Sequence, residues 1–190
     1  TNDGAACAAV SAPCAAGFHT TVAATASSDL QCASCAAGTF KAGTSTTLAV
    51  DECAAWATCA VGQGMSAAGS AIADRQCAGC VAGSTFSPAN NGDACTVVSA
   101  PCGPGTFTTK GATVSSDLEC EACASGTFKS SISAGTLITD TCTAWATCPA
   151  GQGKSVDGSA TANRQCAACE AGTSFSASNS EAACSVVSAK

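Results

Sequence analysis

Four Cys-x-x-Cys pairs, Cys32/Cys35, Cys77/Cys80, Cys120/Cys123 and Cys166/Cys169, are the residues of this chain whose type and spacing could do chemistry. Thiolates two residues apart can hold zinc when two such pairs converge, and Cys32/Cys35 with Cys53/Cys59 approaches a four-thiolate spacing. They can also exchange electrons when the pair sits between a strand and a helix of a βαβ unit. Neither setting is present: no histidine or basic shell accompanies the pairs, and no helical apolar period flanks them. A third chemistry remains, in which the first cysteine of each pair closes one disulfide ring and the second opens the next.

Composition favours that third reading. Leu, Ile, Val and Phe together number 24 of 190 residues, about 13%, below the roughly 20% under which a chain seldom buries enough apolar surface to fold unaided. The nominal hydrophobic content of 46% is mostly Ala and Cys, and Ala buries little area. Seventeen cysteines must therefore supply by cross-linking what the core lacks, which requires an oxidising compartment and predicts an extracellular, cell-surface protein. The formal charge of −6 from 7 basic and 13 acidic residues argues against nucleic acid or an anionic membrane as a partner. Neither an apolar leader nor a run approaching the roughly 20 residues of a membrane span is legible, Thr1–Ala6 being polar.

The elements that position the pairs repeat. Taken in order, the cysteines are separated by 6, 17, 2, 17, 5, 17, 2 and 14 residues, then by 6, 17, 2, 18, 5, 17, 2 and 14. The period of 88 to 89 residues contains two related units. The expected boundaries are 1–6, the end of a preceding unit; 7–52, repeat unit 1; 53–94, repeat unit 2 of a Trp type; 95–141, repeat unit 3; 142–183, repeat unit 4, again of the Trp type; and 184–190, the start of a further unit or a tail. Units 1 and 3 begin Cys7-AAVSAP-Cys14 and Cys95-TVVSAP-Cys102, whereas units 2 and 4 begin Cys53-AAWAT-Cys59 and Cys142-TAWAT-Cys148.

Inside each unit the second and fourth cysteines are followed at the third position by glycine: Gly17, Gly38, Gly62, Gly83, Gly105, Gly126, Gly151 and Gly172. A glycine at fixed offset from a cross-link predicts a turn with positive φ or a close backbone approach. Phe18, Phe40, Phe86, Phe107, Phe128 and Phe175 follow it and are expected to pack on the adjoining disulfide. Trp56 and Trp145 are expected to do the same. Asp29, Asp51, Asp74, Asp93, Asp117, Asp140 and Asn163 stand near the closing cysteines as expected turn caps. Helix signals are weak, and runs such as Thr106–Lys110 and Thr127–Ser131 fit small strand pairs. Between the two Trp-type copies Met65 becomes Lys154, Ile72 becomes Thr161 and Val81 becomes Glu170, exchanges expected at sites facing water.

Spacing alone leaves connectivity open. One solution nevertheless tiles the array with near-equal rings: Cys14–Cys32, Cys35–Cys53, Cys59–Cys77, Cys80–Cys95, Cys102–Cys120, Cys123–Cys142, Cys148–Cys166 and Cys169–Cys184. Cys7 is left over, with a partner expected in a preceding unit. The remaining sharp candidates give way to bland readings. Asp51/Glu52 and Glu119/Glu121 lack the alternating oxygen ligands of a calcium loop. His19 has no repeated nucleophile or orienting partner. The Gly-Gln-Gly turns at 62–64 and 151–153 lack the lysine of a phosphate loop, and no Asn-x-Ser/Thr sequon occurs. No catalytic, cofactor-binding or metal site is expected, so no cofactor and no small-molecule substrate are either.

Repeats of Cys-x-x-Gly-x-Phe, a loop and Cys-x-x-Cys resemble the cysteine-rich modules of tumour-necrosis-factor receptors and ephrin receptors, although the extra crossed disulfide of the receptor modules has no cysteines here. The tandem Ala/Thr/Ser/Cys-rich array with links such as CTAWATC is also similar to the immobilisation antigens that coat ciliates, which implies a glycosylphosphatidylinositol anchor. Ser185–Lys190 offers small residues but no apolar tail for one. The expected fold is thus small, disulfide-rich and mainly β or irregular, an elongated tandem-repeat rod carrying a ladder of single-disulfide rings. The expected function is a structural, antigenic surface coat of the immobilisation-antigen type without catalysis. Its partners would be neighbouring copies of itself or other coat proteins, together with a lipid anchor. The alternatives are a subunit of an extracellular filament or appendage sheath and, second, a receptor-like extracellular binding module.

Overall fold

The computed structural model describes residues 7–188; the expected repeat end at 1–6, and Ala189 and Lys190 of the expected tail, lie outside the described residues. All eight expected rings are present. Each bond joins one cysteine to the next along the chain, from Cys14–Cys32 through Cys169–Cys184, with Cα separations of 5.5 to 5.7 Å. Cys32 therefore bonds Cys14 and Cys35 bonds Cys53, so the two thiols of the pair share neither a bond nor an ion. Cys7 is free and exposed.

The described residues contain no helix, only sixteen short strands in eight antiparallel pairs. The first ring of each repeat holds a longer hairpin interrupted by an irregularity of register. These hairpins are β1 (Phe18–Val22) with β2 (Gln31–Ser34), β5 (Gln63–Ala67) with β6 (Gln76–Gly79), β9 (Thr106–Lys110) with β10 (Glu119–Ala122), and β13 (Gln152–Val156) with β14 (Gln165–Ala168). The second ring holds a two-residue pair that joins the Thr-Phe or Ser-Phe step to the residues just past the closing cysteine. These are β3 (Thr39–Phe40) with β4 (Ala54–Ala55), β7 (Thr85–Phe86) with β8 (Thr96–Val97), β11 (Thr127–Phe128) with β12 (Thr143–Ala144), and β15 (Ser174–Phe175) with β16 (Ser185–Val186). The strand expected at Thr106–Lys110 has those bounds; that expected at Thr127–Ser131 stops at Phe128.

Glycine sets the joint between rings. The only residues with positive φ among those described are the eight glycines of the Cys-x-x-Gly pattern, at +77° to +87°. In the first of them the turn closes by the Phe18 N–H donating to the Ala15 carbonyl at 3.0 Å, with glycine at the place where such a turn needs φ above zero. Gly17 then accepts from the Cys35 N–H at 2.8 Å, and Gly62, Gly105 and Gly151 each accept from the matching cysteine at 2.9 Å. The turn that follows one disulfide thereby holds the cysteine that starts the next.

The chain clusters into two compact units, one running through Cys80 with Ser87–Cys95, the other comprising Val81–Phe86 with the chain from Thr96 on. In the second, Val98, Cys102, Ala112 and Leu118 form a small buried cluster with Phe86 against it. Of the Phe residues expected to pack on a disulfide, Phe18 and Phe175 are 44% and 50% exposed. The centre of a ring this narrow is filled instead by small groups: Thr20, Thr108, Cys14, Cys59 and Cys148 are the largest fully buried side chains. Ile72, Thr161, Val81 and Glu170 are exposed as expected, whereas Met65 and Lys154 are half-buried.

Candidate functional site

Two constructions recur at the repeat period. The first is a polar node under a loop. Thr20, wholly buried, lies 3.3 Å from Cys14 Sγ and 3.4 Å from Ser45 Oγ, and its N–H donates to Asp51 Oδ1 at 2.6 Å. Lys41 Nζ donates to Ser45 Oγ at 2.6 Å and pairs with Asp51. One period on, the Thr108 hydroxyl donates to Cys102 Sγ at 3.2 Å and Ser133 Oγ at 3.1 Å, and its N–H donates to Asp140 Oδ1 at 2.6 Å. Lys129 Nζ reaches Ser133 at 2.9 Å and Asp140 at 3.1 Å. A buried polar group is tolerable only when satisfied in this way.

The node pins both ends of a loop, 41–51 in one copy and 129–140 in the other. The pinning residues repeat; of the residues displayed only the leucine does, as Leu48 and Leu137. Leu48 and Val50 stand out from the first loop, whereas Ile132, Leu137 and Ile138 stand out from the second, at 63%, 57% and 49% exposed. The Thr136 hydroxyl also donates to the Gly83 carbonyl at 2.8 Å, which steadies the second loop from the ring before it.

The node titrates. The Lys41 ammonium, and then the Thr20 N–H, hold the Asp51 carboxyl down at about 2; the Thr108 N–H and Lys129 lower Asp140. A carboxyl depressed in the folded state stabilises fully above its unfolded pKa, about 3.9, and loses that contribution as pH falls through the folded value. The thermal midpoint is therefore expected to hold from neutrality to about pH 4 and to drop towards about pH 2. Lys41→Met should flatten part of that step in a scanning-calorimetry series; an unchanged step would remove the node from the account of acid stability.

The second construction is a cradle around each Trp. The half-buried Trp56 ring lies against Gly69, where an added Cβ would sit 2.5 Å from Cδ2, and the Arg75 guanidinium lies over it, 5.6 Å from the centroid. The indole N–H donates to the Ser70 carbonyl at 3.1 Å, and Arg75 Nη1 donates to the Ala57 carbonyl at 3.0 Å. Trp145, Gly158, Ser159, Arg164 and Ala146 reproduce these contacts, with Arg164 5.5 Å from the ring centroid. Gly and Arg thus hold the ring, where the sequence named only the adjoining disulfide. Cation–π contact secures an indole that no apolar core is large enough to enclose. In the second copy Glu181 adds an ion pair to Arg164 Nη2 at 3.1 Å.

The acidic caps act over longer range than expected. Asp29 binds its own Leu30 N–H but also takes Ser11 N at 2.9 Å and Ser11 Oγ at 2.7 Å; Asp117 does the same with Ser99 at 2.9 and 2.6 Å. Asp74 and Asn163 reach the N–H groups of Ala57 and Ala146 at 2.8 Å. Each of these Asp or Asn side chains staples the closing end of a ring to the segment before its opening cysteine. His19 Nδ1 lies 3.5 Å from the bonded Cys53 Sγ. Gly64 and Gly153 of the Gly-Gln-Gly turns face the backbone of Cys95 and Cys184, so those turns serve ring closure. Cys7, Val10, Thr25 and Asp29 border a recess of about 290 Å³. Repetition of Lys41/Lys129, Ser45/Ser133 and Arg75/Arg164 at the period is the sequence signal that marks the node and the cradle.

Residues 123–166, which hold the Cys123–Cys142 and Cys148–Cys166 rings, match the TNFR/NGFR cysteine-rich region. No curated protein matches. Among solved structures, a chain of the mouse RANKL–OPG complex is similar at 20% identity, over 72% of this chain and 94% of that one, with a TM-score of 0.32. A chain of the human RANKL/OPG complex is similar at 20% identity, over 83% and 90%, with a TM-score of 0.33.

Proposed function

We propose that the chain is an extracellular, non-catalytic binding module of the receptor-like kind, in which the disulfide ladder serves as scaffold and the clamped loops as the contact surface. The observation that carries this is the contrast within the period: Lys, Ser and Asp hold the base of each loop, while an aliphatic tip of three residues is offered to solvent in 129–140. Aliphatic groups held out on a rigid base lose little entropy on docking. The TNFR/NGFR match over 123–166 includes the whole of that loop, and cysteine-rich modules of this kind bind proteins rather than transform substrates. Extracellular residence agrees with eight disulfides.

The second reading is the surface coat, with copies of the chain as partners. It is favoured by the free exchange of exposed residues between copies, Ile72 for Thr161 and Val81 for Glu170. A photoreactive side chain at position 132 or 137, on the full chain presented to intact source cells, separates the two. Cross-links to a different extracellular protein, lost in an Ile132→Lys/Ile138→Lys variant with native disulfides, are expected. Cross-links confined to further copies of the chain would replace the receptor-like reading with the coat.

A further inference from the structure

We infer that Trp56 and Trp145 are sites of indole C-glycosylation, each carrying a single hexose on Cδ1. Both lie in the spacing Trp-x-x-Cys, as Trp56-Ala-Thr-Cys59 and Trp145-Ala-Thr-Cys148, the arrangement that secretory enzymes attaching hexose to indole carbon accept. The disulfides place the chain in the compartment where those enzymes work.

Geometry supplies a second, independent reason. Arg75 Nε and Arg164 Nε are buried, and among the described residues neither has a hydrogen-bond partner. Among the described residues these two are the only buried side-chain N or O atoms so left, and both belong to guanidinium groups lying over these two rings. A buried unpaired donor costs about 1–3 kcal/mol and calls for an acceptor. Hydroxyls of a hexose on the pyrrole edge of the ring would be acceptors for them. Gly69 and Gly158 cover the fused centre of each indole, at Cδ2 and Cε2. The residues remain half-buried, which leaves ring perimeter for a substituent.

The step balances without redox change. The indole Cδ1 attacks the anomeric carbon of a hexose linked through phosphate to a lipid. The carbon–oxygen bond to phosphate breaks and its electron pair leaves with the phosphate. The proton on Cδ1 then passes to a base, restoring aromaticity. The product is a carbon–carbon bond, unlike the O-glycosidic link that the adjacent Thr58 or Thr147 would form.

The test is mass spectrometry of the full chain secreted from cells that contain the indole-modifying enzyme and from cells that lack it, with peptides spanning Trp56 and Trp145 followed separately. A gain of about 162 Da on each Trp peptide is expected. It should persist through alkaline β-elimination and disappear in the deficient cells. Trp56→Phe should lose the gain at that site alone. Unmodified Trp peptides from competent cells, with a control Trp-x-x-Cys protein modified in parallel, would overturn the proposal. So would a gain removed by β-elimination, which would assign the hexose to threonine.

Discussion

Replacing Cys102 and Cys120 together by alanine is expected to lower stability by about 3 kcal/mol, the chain-entropy value for a ring of this length, and by more than the same change at Cys169 and Cys184. Both rings are closed by one bond, but the first spans 18 residues and the second 15. More importantly, Cys102 is 2% exposed within the cluster of Val98, Ala112 and Leu118, and its sulfur accepts from the buried Thr108 hydroxyl at 3.2 Å. Removing it opens a void in that buried cluster, and few surrounding apolar groups can collapse to fill it. Guanidinium titrations of the two double variants, with the remaining disulfides mapped, check the order. Equal losses would mean that cross-linking alone, and not the cluster it gathers, sets stability at this ring.

Gly153→Ala is expected to prevent closure of the Cys169–Cys184 ring outright. A Cβ there would lie 2.2 Å from the Cys184 nitrogen and 2.7 Å from its sulfur, in backbone that cannot give way while the bond is made. Gly64 meets Cys95 at the same distances. The last ring of each period is the shorter one, 15 residues against 18 or 19, which draws its closing cysteine down onto the glycine. Gly126→Ala is the control: its Cβ meets nothing within 4 Å, so only φ of +87° opposes it, at about 1–2 kcal/mol. Thiol labelling of secreted protein should find two free cysteines besides Cys7 in the first variant and none from the Cys123–Cys142 ring in the second. Full oxidation of Gly153→Ala would show that the backbone can rearrange there.

The features legible in sequence are those fixed by covalent or strictly local chemistry. Eight disulfides follow from a period in the cysteines, and eight positive-φ turns follow from glycine at a constant offset from them. What escaped is contact between residues far apart along the chain. Asp51 finds Thr20, 31 residues earlier, and Arg75 finds Trp56. A charge or an indole seen alone does not announce its partner. The degree of aromatic burial was not legible for a related reason: a phenyl ring is read as core wherever it falls, yet the fully buried side chains here are threonine and cysteine, and Phe18 and Phe175 stay half in solvent. The node and the cradle were nonetheless written in the period, since Lys41, Ser45 and Arg75 recur as Lys129, Ser133 and Arg164. Recurrence of a polar residue at the period marks a structural partner, just as its absence at Ile132 and Ile138 marks a displayed tip.

Because every bond joins neighbouring cysteines, no loop encloses another, and the ladder behaves as a tether of nearly fixed length. Tension applied along the backbone passes through sulfur at each ring and leaves the enclosed residues slack. Only the connectors stretch: two residues at Cys32/Cys35, five between Cys53 and Cys59, six between Cys95 and Cys102. A pulled molecule should yield a short, stiff extension in the oxidised state and lengthen severalfold only on adding a reductant, ring by ring and in any order.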